Sequence, residues 1–408
     1  MKKKIFLFLF SFLILISVFK VCAKDSNRVY FNISPENRQI VLPLQLNDSI
    51  TIKMVFDSGT GEGVFNLDST FCSTHPSIML NIHPDTIVQG GSAWSSKAVP
   101  TSIFKVAPTV KIGNTDLIYN RMSIYNWKRY YITSDSEGLF NIPKNDTTHV
   151  WELNFKNNYL EIHPSIDFKM PENCYEVPMV NDKSSHSPFN IQFPIKIKCA
   201  DGDTLTLNRT FMLDAGMPCD IALMCRAGEL PFFSKKVDAI WTEDQGSYNR
   251  YYTVDAMLFD NFAVDSLRIY TFDHPNGISS NYLIGQNFLK RFNVFFDLKN
   301  WQIGLQPIKH FQRVINPNHR RFHFSTYTTP KGKIIVTMVA NYNGNFYKTA
   351  GLKKGDEIVA LNGKSYKNIT YEEHSEFYKK DKLVFDIIRK GKPLKILVKV
   401  DKNEVQGD

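Results

Sequence analysis

At 408 residues the chain is longer than one ordinary hydrophobic core serves, so two or three domains are expected. A hydrophobic fraction of 43% with 31 Phe and 18 Tyr excludes a disordered chain and favours strands over long helices. The net charge is +9, but four lysines fall in the first 23 residues, and the remaining +5 is dispersed, which gives no tract for nucleic acid.

Lys2, Lys3 and Lys4 precede an apolar run from Ile5 to Phe19, and Val21-Cys22-Ala23 follows. That is the layout of a secretory signal peptide over residues 1–23. The run is shorter than the roughly 20 apolar residues of a bilayer span, so export to the periplasm or beyond is expected. An N-terminal membrane anchor is the alternative if the leader is not cleaved. Cys72, Cys174, Cys199, Cys219 and Cys225 lie beyond it. An odd number implies a free thiol or an intermolecular bridge, and Cys219 with Cys225 is the pair closest in sequence. No C-x-x-C or H-E-x-x-H spacing occurs, so neither a metal nor a cofactor is expected.

The most informative feature is a weak internal repeat, one copy running from about Ile33 to His163 and the other from about Tyr175 to Gln306. Each opens with an apolar strand carrying a proline, Val41-Leu42-Pro43-Leu44 and Phe193-Pro194-Ile195, followed by a polar hairpin turn. The returning strands end in Asp57-Ser58-Gly59 and Asp214-Ala215-Gly216. Glycines follow in polar, hairpin-like stretches, Gly90-Gly91 and Gly246, and then come Gly138-Leu139-Phe140 and Leu283-Ile284-Gly285. Each copy closes on a similar strand and turn, Leu153 to Tyr159 and Phe296 to Trp301. Five landmarks recur in one order. The period is too long for a solenoid and predicts a duplicated β domain with a cleft between its lobes. From about His310 the texture changes, and Ala350-Gly351-Leu352 through Gly355-Asp356-Glu357-Ile358 to Asn362-Gly363 introduces a third domain.

Two carboxylates sharing one proton hydrolyse a peptide bond without metal or covalent intermediate: one activates water while the other, protonated, hydrogen-bonds the carbonyl oxygen. The sequence requirement is an acid at a strand end, then a glycine that lets the backbone turn tightly. Asp57-Ser58-Gly59-Thr60 resembles the active-site loop of aspartic proteases, especially the bacterial retropepsin-like ones, and Asp214-Ala215-Gly216 resembles its partner. Gly351 to Gly363 resembles the AGL-x-x-GD-x-I-x-x-ING signature of PDZ domains.

The resemblance implies a mainly β protein: aspartic-protease-like lobes at 28–165 and 175–308, then a PDZ-like α/β domain at 316–408. It implies catalysis by Asp57 and Asp214, supported by Ser58, Gly59, Thr60, Ala215 and Gly216, on a peptide or unfolded-protein substrate. Gly90, Gly91 and Trp94 would lie on a flap over the substrate, and Gly246 on a second one. A C-terminal peptide would be the ligand of the PDZ-like domain. The second loop departs from the pattern, with Ala215 and Met217 where hydroxyl residues are usual, and Asn141 stands where the first copy should have glycine. Hydroxyls at Ser58 and Thr60 against Ala215 and Met217 make Asp57 the expected stronger acid and Asp214 the expected proton holder. A catalytically impaired, protease-like peptide-binding protein with a PDZ module is the alternative. A scaffold whose PDZ-like domain packs on the lobes is a third reading.

Overall fold

The computed structural model describes residues 27–399, apart from 35–38, 62, 80–82, 93–94, 106, 127–135, 144, 184, 186, 199–203, 227–238, 243–247, 275–281, 310, 312–323, 330–331, 343–350, 354, 370–372, 374–375, 378–379 and 381. The leader, Trp94 and Gly246 lie outside the described residues. The protein is mainly β. Among the described residues no helix is long and apolar enough to cross a membrane.

The chain begins with β1 (Arg28–Tyr30) and β2 (Asn32–Ile33), then the hairpin of β3 (Ile40–Leu46) and β4 (Ile50–Phe56). Asn47 and Asp48 turn that hairpin at φ of 48° and 56°, the left-handed region that short polar side chains tolerate best after glycine. β5 (Phe65–Asp68) leads into α1 (Ser69–Thr74). The Asp68 carboxylate caps α1, accepting from the amides of Thr70 and Phe71 at 2.9 and 3.1 Å. A long hairpin follows, β6 (Thr86–Ser92) and β7 (Ser95–Phe104). Then come β8 (Val110–Ile112), β9 (Thr115–Leu117), β10 (Met122–Tyr125) and β11 (Gly138–Phe140). β12 (His149–Asn154), β13 (Tyr159–Pro164) and β14 (Tyr175–Pro178) complete this half.

The second half comprises β15 (Asn190–Lys198), β16 (Thr204–Asp214), β17 (Ile221–Arg226), β18 (Ala239–Thr242), β19 (Tyr248–Leu258) and β20 (Phe262–His274). It continues with β21 (Tyr282–Gly285), α2 (Gln286–Leu289), β22 (Phe292–Asp297) and β23 (Gln302–Pro307). The C-terminal strands are β24 (Phe324–Thr328), β25 (Ile334–Tyr342), β26 (Glu357–Leu361), β27 (Lys364–Ser365), β28 (Lys382–Arg389) and β29 (Lys392–Lys399).

Two sheets repeat one strand order. In the first half it runs β3-β4-β11-β5-β10-β7-β6, in the second β15-β16-β21-β17-β20-β19-β18. Parallel pairs fall at the same places, β4 with β11 and β5 with β10, β16 with β21 and β17 with β20. A third sheet, β1-β13-β12-β22-β23-β14, takes a hairpin from each half and joins them through β12 against β22. Its two hairpins turn alike: Asn154 Oδ1 accepts from the Asn157 amide and Asp297 Oδ1 from the Asn300 amide, both at 3.0 Å. The next residues, Asn158 and Trp301, take φ of 55° and 54°. These are the closing landmarks of the sequence repeat.

Burial explains where the two acidic strands end. β4 and β16 alternate buried and exposed positions at first, then become buried on both faces over Met54–Phe56 and Phe211–Asp214. Phe56 and Leu213 face the main core, whereas Val55 and Met212 face small satellite clusters with Leu139 and Leu283. Phe296 of the joining sheet packs against Phe56 and Phe189, with ring centroids 6.1 and 4.9 Å apart. The residue before Asp57 is thereby fixed on the sheet that links the halves. The C-terminal strands bury a separate cluster that includes Val336, Leu361, Phe385 and Val398. Their β25 also pairs with β18, Ala239 opposite Tyr342 through Thr242 opposite Val339.

Candidate active site

Asp57 leaves the end of β4, and its amide donates to Phe140 O of the parallel strand at 3.0 Å. Asp214 is the last residue of β16, level with Gly285 of its own parallel neighbour. The next residues turn back in each loop, and the turns face each other. A Cβ placed on Gly59 would lie 2.3 Å from Asp214 Cγ and 2.6 Å from both of its carboxylate oxygens. A Cβ on Gly216 would lie 2.5 Å from Asp57 Cγ and 2.7 Å from its oxygens. Each carboxylate therefore rests on the bare backbone of the opposite loop, which only glycine permits. The two acids hydrogen-bond each other.

Burial raises the pKa of both acids. Asp214 is held well above the ordinary carboxyl range by burial, then by the charge of Asp57 and the hydrogen bond with it. For Asp57 burial is opposed by hydrogen bonds from the Gly59 amide, from Asp214 and from the Thr60 amide. Two raised, mutually hydrogen-bonded carboxyls thus favour holding one proton between them.

The donors differ from those the side chains suggest. Asp57 Oδ1 accepts from the Gly59 amide at 2.9 Å, and Asp214 from the amides of Met217 and Gly216. An apolar side chain at Met217 thus removes no donor from the dyad. Nor does the Ser58 hydroxyl serve it: Ser58 Oγ donates to Leu213 O and accepts from the Ala215 amide, each at 2.9 Å. Ser58 is a tie between loops.

The strands that buttress the loops solve one problem in two ways. In the second half the amides of Gly285 and Gln286 donate to Asp220 O and Met217 O at 2.8 Å. A Cβ at Gly285 would come within 2.4 Å of Cys219 O, so the glycine is required. In the first half Asn141 takes its place, and its Nδ2 donates to Thr60 O at 2.9 Å. Behind the second loop Arg291 Nη1 pairs with Asp220 Oδ1 at 3.1 Å, with 5% and 0% of the two side chains exposed. Asp220 Oδ2 also accepts from the Arg268 amide at 2.8 Å. Both polar ends of the Gln286 side chain are buried without a partner among the described residues.

Gly90 and Gly91 lie on β6, where the pairing with β7 slips between Gly90 and Ser92. In strand order four strands separate β6 from β4. Cys219 is a free thiol beside the second loop, so no bridge to Cys225 forms. The described residues hold one group with metal-ligand spacing, Glu152, Glu161 and His163. Glu161 is already engaged by Arg28 at 2.7 Å, and His163 Nε2 lies 2.8 Å from Glu152. Burial tends to raise the pKa of Glu152, but hydrogen bonds from His163 and Asn154 outweigh it and hold it below the ordinary value. This is an internal ion-pair network.

Sequence reasoning brought Asp57, Ser58, Gly59 and Thr60 together with Asp214, Ala215 and Gly216. It missed the partners that fix them: Asp220 and Arg291 behind the second loop, Gln39, which donates to Gly216 O, and Ser187, which donates to Ser58 O. The only signal for these in the sequence is the presence of an acid and an arginine six residues beyond Asp214 and Gly285. No protein-family model matches the chain, and no similar curated protein is found.

Proposed function

We propose that the protein is an aspartic endopeptidase of the retropepsin-like type, with the two sheet repeats as its lobes and the C-terminal strands as a PDZ-like domain. The observation that carries this reading is the mutual approach of Asp57 and Asp214, each over the other loop's glycine and joined by a hydrogen bond. Separated acids would have favoured the impaired peptide-binding alternative.

In the proposed reaction Asp57, ionised, takes a proton from a water held between the acids, and that water's oxygen attacks the peptide carbonyl carbon. Asp214 hydrogen-bonds the carbonyl oxygen and donates its proton to it, giving a neutral diol. The amide nitrogen then takes up the proton that Asp57 accepted, the C–N bond breaks, and Asp214 recovers its own. No charge accumulates at the reacting carbon, so neither a metal nor an oxyanion hole is needed. The hairpin of β6 and β7, with Gly90 and Gly91, is the proposed flap, and Trp94 and Gly246 extend that role to segments outside the described residues. Export by the N-terminal leader and capture of a C-terminal peptide by the PDZ-like domain belong to the same proposal.

The test is hydrolysis of a reduced, denatured protein such as casein between about pH 3 and 7. Wild type should cleave with a bell-shaped pH dependence, and Asp57→Asn and Asp214→Asn should each reduce the rate by about 10³-fold or more. Equal rates for wild type and Asp214→Asn would end this reading.

A further inference from the structure

Ala215 cannot return the bonds that Ser58 makes. Ser58 Oγ ties the first loop to Leu213 O and the Ala215 amide, but a methyl group at 215 offers nothing to the first loop. The bonds of Ser58 among the described residues are three, and its amide takes part in none of them. Half of a reciprocal clasp is therefore absent beneath two carboxylates that must be held in register.

The third bond of Ser58 comes from elsewhere. Ser187 Oγ donates to Ser58 O at 2.6 Å across the halves, from a residue only 3% exposed. Ser187 lies just ahead of β15, and four further bonds set its position. Its Oγ accepts from the Phe189 amide at 3.2 Å and its amide donates to Ser185 Oγ at 3.3 Å. Its carbonyl accepts from Asn190 Nδ2 at 2.5 Å and from Ser185 Oγ at 3.2 Å. The first half makes the corresponding reach: Gln39, just ahead of β3, donates from Nε2 to Gly216 O at 3.2 Å. Each half thus sends a side chain from the segment just before the strand that opens its repeated order, β3 or β15, onto the other half's loop.

We infer that Ser187 is a positioning residue of the dyad, supplying from outside the loop the cross-link that Ala215 lacks, with Gln39 as its counterpart. The inference rests on the aspartic-dyad reading for its catalytic consequence. The cross-link itself bears on the shared proton: loosening it lets Gly59 and Gly216 move apart, lengthens the bond between the acids and brings their titrations closer to those of separate carboxyls.

The experiment compares wild type with Ser187→Ala, Ser187→Cys, Ala215→Ser and the Ser187→Ala/Ala215→Ser pair. Two readouts are taken: the pH dependence of urea unfolding, which follows the acid pair without any substrate, and the pH profile of casein hydrolysis. Ser187→Ala should lower kcat about 10-fold with KM little changed, narrow the pH profile and shift the acid-pair step in the unfolding curve. Ala215→Ser should restore both readouts in the pair. Ser187→Cys, nearly isosteric but a weak donor, should reproduce the Ser187→Ala shifts if the alanine variant does not fold. A uniform loss of stability with the acid-pair step and profile unmoved would overturn the inference, as would failure of Ala215→Ser to rescue. If wild type cleaves nothing, the protease reading fails, and the unfolding readout still decides whether Ser187 positions the acids.

Discussion

Replacing Gly59 by alanine drives one methyl group into the place that the structure gives to the carboxylate of Asp214. The new carbon would sit 2.3 Å from Cγ and 2.6 Å from each oxygen. Comfortable contacts begin near about 3.5 Å, so the loop and the acid must separate by about 1 Å. Neither can yield freely. Asp214 is buried and held by the amides of Met217 and Gly216, and the first loop is tied to the second through Ser58. Overpacking of this kind costs about 1–3 kcal/mol in stability. A displacement of about 1 Å at the reacting groups is worth about 10²-fold in rate. Gly59→Ala should therefore lose that much stability in urea unfolding and cleave casein about 100-fold more slowly, with the loss mainly in kcat. Gly216→Ala, whose Cβ would lie 2.5 Å from Asp57 Cγ, should behave alike. A Gly59→Ala protein with wild-type stability, rate and pH dependence would refute the close approach of the two acids.

Two further outcomes follow from the same geometry. Because burial raises the pKa of both acids, the folded protein binds the shared proton more tightly than the unfolded chain does. That contribution to stability is full below the unfolded carboxyl range, near about pH 4, and is lost as pH rises through the folded values. Asp214→Asn should reduce this loss, since Asp57 alone then remains raised by burial, so its stability relative to wild type should climb with pH, by at most about 1.4 kcal/mol per unit for each proton involved. Parallel urea-unfolding curves for the two proteins would refute it. Separately, Arg291→Met removes the cation paired with the buried carboxylate of Asp220 and should cost about 3–5 kcal/mol in urea unfolding. Adding Asp220→Asn, which keeps an acceptor for the Arg268 amide, should recover most of that loss, and additive effects would show the pair uncoupled.

The sequence by itself determined the features that depend on neighbours along the chain. Alternating apolar residues specify β3, β4, β15 and β16, and Asn47-Asp48 specifies a turn. Asn154 and Asp297 specify matching turns because an Asx side chain reaches the amide three residues on. An acid followed by a small residue and glycine, twice, was enough to single out Asp57 and Asp214 and the glycines that let them approach.

Only the tertiary structure decided how the loops are held and how the two acids meet. Ser187 meets Ser58 across 129 residues, Gln39 meets Gly216 across 177, and Arg291 meets Asp220 across 71. No period or local pattern encodes such pairs, since each forms only when separate sheets have packed. The sequence pointed to side-chain hydroxyls as donors to the acids, whereas the folded loops present amides, which every residue type carries and composition therefore cannot disclose. The raised pKa of Asp214 likewise depends on burial and on a second carboxylate 157 positions away in sequence, and both act only once the chain has folded.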